Sequence, residues 1–188
     1  MLRKAVFLDR DGVINRDSPD YIKRLEEFEF LPGSLDALRR LAQRGFACIV
    51  ITNQSAPARG LMTFEALDAI HRRLCAAVAE AGGRILDIFI CPHLPADGCS
   101  CRKPKPGLLH AAQRKYGIDF SSAAMIGDSV TDIECALNAG VRTTVDADAA
   151  FKLGSVAVVG WPFERRADAE RARAMLAARG LRVDLVEF

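Results

Sequence analysis

Short apolar runs rich in strand formers alternate with amphipathic helical stretches along the chain, and this alternation limits the fold more than any other feature. Lys4–Asp9 (KAVFLD), Ala47–Thr52 (ACIVIT), Leu86–Cys91 (LDIFIC) and Ala123–Gly127 (AAMIG) read as buried strands. Between them, Gly33–Arg44 carries Leu35, Leu38 and Leu41 at helical spacing and stops at Gly45. Thr63–Ala81 is a longer amphipathic helix ended by Gly82-Gly83. Pro106–Tyr116 has proline at its start and Gly117 after it, and Val130–Ala139 is capped by Gly140. Arg142–Val145 and Ser155–Val159 read as further short strands, Ala167–Arg179 as a last helix, and Val183–Val186 as a final strand. Strand and helix in alternation predict an α/β fold of three layers, with a mostly parallel sheet between helices. Nothing long is inserted between elements, so the whole chain, 1–188, is expected to form a single domain without a lid.

In such folds ligands bind beyond the carboxyl ends of the strands. Asp9 and Asp11 follow the first strand, Thr52 the second and Asp128 the fourth. Two carboxylates two residues apart at a strand end can face one space, and Gly12 permits a sharp turn after them. One carboxylate can attack phosphorus to give an acyl phosphate, and the other can protonate the leaving oxygen and then activate water. A phosphate dianion approaching carboxylates needs its charge offset by a divalent cation and a lysine. Asp128 and Asp132, in Gly127-Asp128-Ser129 and beyond, suit an oxygen-preferring ion such as Mg²⁺. Thr52 offers a hydroxyl, and Lys103 a positive charge. Capping of turns and helices is the bland explanation for these aspartates. The ordered set of Asp, Thr, Lys and Asp outweighs it.

The six cysteines fall into two groups. Cys48, Cys75 and Cys135 are scattered through apolar segments, as buried thiols in a reducing cytosol would be. Cys91, His93, Cys99 and Cys101 form a Cys-x-His…Cys-x-Cys set within one loop. Three thiolates and an imidazole suit a closed, structural, tetrahedral Zn²⁺ site. Pro92, Pro95 and Gly98 would fold the loop back on itself. The loop runs directly into Arg102 and Lys103, so zinc is expected to fix their position without entering the chemistry.

Four motifs together resemble the haloacid dehalogenase superfamily of phosphatases: DRDGV (Asp9–Val13), ITNQS (Ile51–Ser55), RKPKP (Arg102–Pro106) and IGDSVTD (Ile126–Asp132). The resemblance implies a Rossmannoid, capless fold of that family. It implies that Asp9 is the nucleophile and Asp11 the general acid/base, and that Thr52 and Lys103 hold the phosphoryl group. Mg²⁺ would be held by Asp9, the main chain of Asp11, and Asp128, with Asp132 nearby.

The zinc loop is similar to that of two capless branches. Pro106-Gly107 and Asn53-Gln54-Ser55…Ala58-Arg59-Gly60 resemble the D-glycero-D-manno-heptose 1,7-bisphosphate 7-phosphatases more than the histidinol-phosphate phosphatases, which usually carry an acidic residue where Ser55 stands. The resemblance implies a phosphorylated sugar as substrate. Its contacts would fall among Arg10, Gly12, Asn15, Asp17, Tyr21, Asn53, Gln54, Ser55, Arg59 and Arg102. It also implies a cytoplasmic role in making nucleotide-activated heptose for surface polysaccharide. The chain departs from that branch at Ala56-Pro57, where Gly-Ile is common, and at Ser129, where Lys is common.

Other classes stay open as alternatives: a histidinol-phosphate phosphatase, a nucleic-acid end phosphatase, a phosphotransferase, and a non-catalytic zinc-containing binding module. A net charge of +2 and two tyrosines argue against a nucleic-acid groove. No apolar run approaches the roughly 20 residues a membrane helix needs, and the start of the chain shows no signal-peptide pattern. No apolar stripe is left over once the helices are assigned, so a monomer is expected. His71 and His110 lack metal-spaced partners and read as structural or solvated, the Arg165–Arg173 run as a solvated helix face, and Trp161-Pro162-Phe163 as packing for the last helix.

Overall fold

The computed structural model describes residues 4–141 and 158–159. The elements follow the order β1 (Ala5–Leu8), α1 (Ser34–Gln43), β2 (Ala47–Asn53), α2 (Phe64–Glu80), β3 (Ile85–Cys91), α3 (Gly107–Tyr116), β4 (Ala123–Gly127), α4 (Val130–Ala139) and β5 (Val158–Val159). The predicted strands and helices from Lys4 to Ala139 therefore all form, shifted by at most a residue at each end. Of the predicted Ser155–Val159 strand, only Val158–Val159 is described. The predicted Arg142–Val145 and Val183–Val186 strands, the Ala167–Arg179 helix and Trp161-Pro162-Phe163 lie outside the described residues.

All strand pairs are parallel, in the order β3-β2-β1-β4-β5. Central strands of a parallel sheet are covered on both faces, which is why β1 is apolar throughout and buried at every residue. Alternate residues feed two cores. Phe7, Ile49, Ile51 and Met125 pack with Leu108, Leu109 and Ala112 of α3 and with Cys135 and Ala136 of α4. Val6, Leu8, Cys48 and Val50 pack with Leu38 and Leu41 of α1 and with Leu74 and Val78 of α2. The layers are thus α1/α2, sheet, α3/α4, as the alternation predicts. Phe7 meets Phe120 edge to face at 6.0 Å, and the His110 ring stacks beside Phe120, so that histidine is structural.

The chain winds from β1 to β2 to β3 in one direction, then crosses to β4 on the other side of β1. The switch point lies between β1 and β4, and a crevice opens beyond their carboxyl ends. That places Asp9 and Asp128 beside each other, although 119 positions separate them, and the Asp9 N–H donates to Ile126 O at 2.9 Å. Among the described residues no cap module interrupts the fold, and none of the helices is long and apolar enough to cross a membrane.

Candidate active site and metal centres

A cavity of about 230 Å³ sits at this crevice, lined by Asp9, Asp11, Asp17, Ser18, Tyr21, Ile22, Thr52, Asn53, Gln54, Lys103, Asp128, Ser129 and Thr131. Nine of the residues predicted for a site are in that lining. Ser18, Ile22, Ser129 and Thr131 are additions; Ser129 and Thr131 fall within the IGDSVTD motif, and Ser18 and Ile22 stand next to Asp17 and Tyr21.

Lys103 is the organising cation. It is buried, and its Nζ lies 2.8 Å from Asp9 Oδ1 and 2.6 Å from Asp132 Oδ1, and donates to Ile51 O at 3.0 Å. Its backbone is clamped as well. The Lys103 N–H donates to Asn53 Oδ1 at 3.1 Å, and Asn53 Nδ2 donates to Lys103 O at 3.3 Å. Burial pulls the lysine pKa down, but the charges of Asp132 and Asp9 outweigh it and the net shift is upward. Asp132 is fixed by the start of α4. Ser129 Oγ and the Ser129 N–H donate to Asp132 Oδ2 at 2.6 and 3.1 Å, which leaves Oδ1 for Lys103. Helix capping and site construction are here one arrangement.

Asp9, Asp128 and Asp132 each bring a carboxylate oxygen within 4.8 Å of the others. Gly12 makes room for this: with φ +77°, an added Cβ there would lie 1.8 Å from Asp128 Oδ2. Burial, opposed by Lys103 and reinforced by the Asp132 and Asp11 charges, raises Asp9 to about 6. Burial and the Asp9 and Asp132 charges raise Asp128 to about 7. One lysine does not offset this much negative charge. Hard oxygen donors that repel one another when empty fit a cation such as Mg²⁺. Without the ion, the folded protein holds protons on these groups that the unfolded chain, with its aspartates near 3.9, has released. Their contribution to stability is present below about pH 4 and is lost as the pH rises toward 7. Asp128→Asn is therefore expected to gain Tm relative to the wild type across that window in Mg²⁺-free buffer, and Mg²⁺ should reverse the order. A pH-independent difference would contradict this.

The four predicted zinc ligands also converge. Cys91 Sγ lies 3.6 Å from both His93 Nδ1 and Cys99 Sγ, and Cys101 Sγ lies 3.2 Å from Cys91 Sγ, 3.5 Å from Cys99 Sγ and 3.2 Å from His93 Nδ1. A tetrahedron with metal–sulfur bonds of about 2.3 Å has edges of roughly 3.8 Å, so the cluster could hold a zinc ion with slight expansion. The loop is stapled to the site. Lys105 Nζ donates to Gly98 O and Cys99 O at 2.7 and 2.8 Å, and the Gln54 N–H donates to Cys91 O at 2.8 Å.

Several expected substrate contacts lie elsewhere. Arg10 and Asn15 are both 0% exposed, and each directs its side chain to Asp11. A charge or amide without access to solvent needs its partner inside the protein, and for both that partner is Asp11. Ser55 is buried beneath Arg59, whose Nε donates to its Oγ at 3.4 Å. The Arg59 guanidinium lies over the Tyr21 ring at 5.6 Å, bracing the cavity wall. Tyr21 has φ +64°, an uncommon conformation for its type. Arg102 donates to His93 O at 3.2 Å and is outside the lining. Ala56-Pro57 opens a turn closed by the Arg59 N–H to Ser55 O and the Leu61 N–H to Ala56 O.

Residues 10–140 match the family of haloacid dehalogenase-like hydrolases. The chain is 51% identical over 136 residues to D-glycero-beta-D-manno-heptose-1,7-bisphosphate 7-phosphatase of Pseudomonas aeruginosa, covering 72% of this chain and 76% of the relative. It is 38% identical over 148 residues to the enzyme of the same name from Escherichia coli, covering 75% and 77%. The crystal structure of D,D-heptose 1,7-bisphosphate phosphatase from Bordetella bronchiseptica, complexed with magnesium and phosphate, superposes with a TM-score of 0.72 at 45% identity, covering 74% of this chain and 78% of that one. With the strand-end aspartates, the buried lysine and the Cys/His loop, these likenesses show that the chain belongs to the haloacid dehalogenase-like hydrolases, in the branch of the D-glycero-D-manno-heptose-1,7-bisphosphate 7-phosphatases.

Proposed function

We propose that the protein hydrolyses the C7 phosphate of D-glycero-D-manno-heptose 1,7-bisphosphate through an aspartyl phosphate on Asp9. The observation that carries this reading is the pairing of Asp9 with buried Lys103 at 2.8 Å, with Asp11 opening into the same cavity. An oxygen of Asp9 attacks phosphorus while Asp11 protonates the leaving sugar oxygen. Asp11 then takes a proton from the water that releases phosphate. Lys103 and the Thr52 hydroxyl face the phosphoryl oxygens and offset their charge. Asp9, Asp128 and the main chain of Asp11, with Asp132 nearby, would hold Mg²⁺, which supplies positive charge against the phosphoryl group.

The zinc loop would serve the same site from outside. Removing zinc is expected to lower activity by roughly 10- to 100-fold and to speed backbone hydrogen exchange across residues 91–105 in parallel. Full activity in zinc-free protein with Mg²⁺ supplied would sink this idea. None of the six cysteines is paired in a disulfide, in keeping with a reducing compartment. On this reading the protein is a single-domain cytoplasmic monomer that supplies nucleotide-heptose synthesis.

Phosphate release with Mg²⁺ tests the substrate. Both anomers of heptose 1,7-bisphosphate, histidinol phosphate and a 3′-phosphorylated oligonucleotide should be compared. A large preference for a heptose anomer is expected. Preference for histidinol phosphate or the oligonucleotide would overturn the assignment and leave the phosphatase chemistry standing.

A further inference from the structure

Arg10 and His71 lie behind the cavity, outside the chemistry described so far. Arg10 Nε and Nη2 donate to Asp11 Oδ1 at 3.1 and 2.8 Å, and Nη2 reaches Oδ2 at 2.9 Å. Its remaining edge, Nη1, lies 3.3 Å from Nε2 of His71, which comes from α2. A guanidinium can only donate, so His71 offers the Nε2 lone pair and carries its proton on Nδ1. Burial and the Arg10 charge push the imidazole down to about 4, which keeps it neutral in that role. Asp11 also accepts from Asn15 Nδ2 at 2.8 Å and Gln54 Nε2 at 2.7 Å. The two carboxylates of the motif thus have separate cations, Lys103 on Asp9 and Arg10 on Asp11. A planar fork fixes the orientation of a carboxylate as well as its position. His71 occupies the one edge by which this fork could turn.

We propose that Arg10, braced by His71, is a positioning residue that aims the Asp11 carboxyl for proton transfer at the leaving oxygen. The inference rests on the reading of Asp11 as the proton shuttle. In the first half-reaction an Asp9 oxygen bonds to phosphorus, the bond from phosphorus to the sugar oxygen breaks, and the Asp11 proton moves to that oxygen. In the second, a water oxygen bonds to phosphorus, the Asp9–phosphorus bond breaks, and a water proton returns to Asp11. A phosphate ester and water become an alcohol and phosphate. Aim at the leaving oxygen matters only where the leaving group needs a proton.

The test is single-turnover phosphoryl transfer to Asp9 from a sugar phosphate and from p-nitrophenyl phosphate, whose leaving group departs unprotonated. His71→Phe is expected to slow transfer from the sugar phosphate by about tenfold, to leave KM within about twofold, and to slow the aryl ester by less than about threefold. His71→Gln, whose side-chain oxygen can accept from Nη1, should recover most of the loss. Arg10→Lys keeps the charge without the fork and should reproduce the ester-dependent loss, which covers the case of a misfolded phenylalanine variant. Wild-type rates in both His71→Phe and Arg10→Lys overturn the inference. So does an equal loss on both esters with raised KM and lowered Tm, the mark of a merely structural role. Asp11→Asn in the same assay separates the two claims. If it keeps the wild-type rate on the sugar phosphate, the shuttle reading itself fails. If it loses the rate while the Arg10 and His71 variants do not, only the positioning inference fails.

Discussion

Asp9→Asn is expected to lower turnover by about 10⁴-fold or more while the fold survives. The amide is close in shape to the carboxylate but cannot attack phosphorus, and the neighbouring carboxylates have other tasks: Asp128 would hold the cation. Asp11 is tied to Arg10, and Asp132 faces Lys103 from the buried side. The fold should tolerate the change, because burying an ionised Asp9 beside Asp132 is itself unfavourable. Lys103 keeps Asp132 as its counter-charge at 2.6 Å. Steady-state phosphate release gives the rate, and thermal melting gives the stability. Turnover near the wild-type rate would break the mechanism.

Lys103→Met is expected to have the largest effect on stability, a loss of about 3–5 kcal/mol by urea unfolding, together with a fall in turnover of about 10²- to 10³-fold. Methionine fills the space but leaves Asp132, which is 0% exposed, without a cation. The loss should therefore come from a stranded charge and not from a cavity. Lys103→Met combined with Asp132→Asn should regain most of the stability and none of the activity, since neutralising the orphan removes the penalty but restores no cation for phosphate. A single variant as stable as the wild type would show that the pair contributes nothing to folding.

The fold was largely legible because its signals are local. β1 is an unbroken apolar run and β2 is apolar from Ala47 to Ile51, α2 is capped by Thr63 with its hydroxyl accepting from the Ala66 N–H, and glycines close α3 and α4. The Cys/His cluster was legible for the same reason: all four residues fall within eleven positions. The supports of the site were not. Arg10 stands between two aspartates and looks like a phosphate contact, yet it is buried, and its Nη1 meets His71, 61 positions away. Asn53 lines the cavity, and both ends of its amide also bond the Lys103 backbone, 50 positions away. Such assignments depend on which long-range partner satisfies a polar group, and residue type does not encode that. Ile22 lines the cavity without any chemical mark in the sequence.

The sheet order carries a consequence for how such a protein can change over generations. Asp9, Thr52 and Asp128 stand on or directly after the tips of three adjacent strands, held by cores on both faces. Asp17, Ser18, Tyr21 and Ile22 stand on chain that has left the sheet between β1 and α1. Mutation can redraw that second set without disturbing the registry of the first. A lineage built this way can exchange one phosphate ester for another while inheriting its bond-breaking apparatus unaltered, and new selectivity should accumulate in residues 16–27 before it reaches the strands.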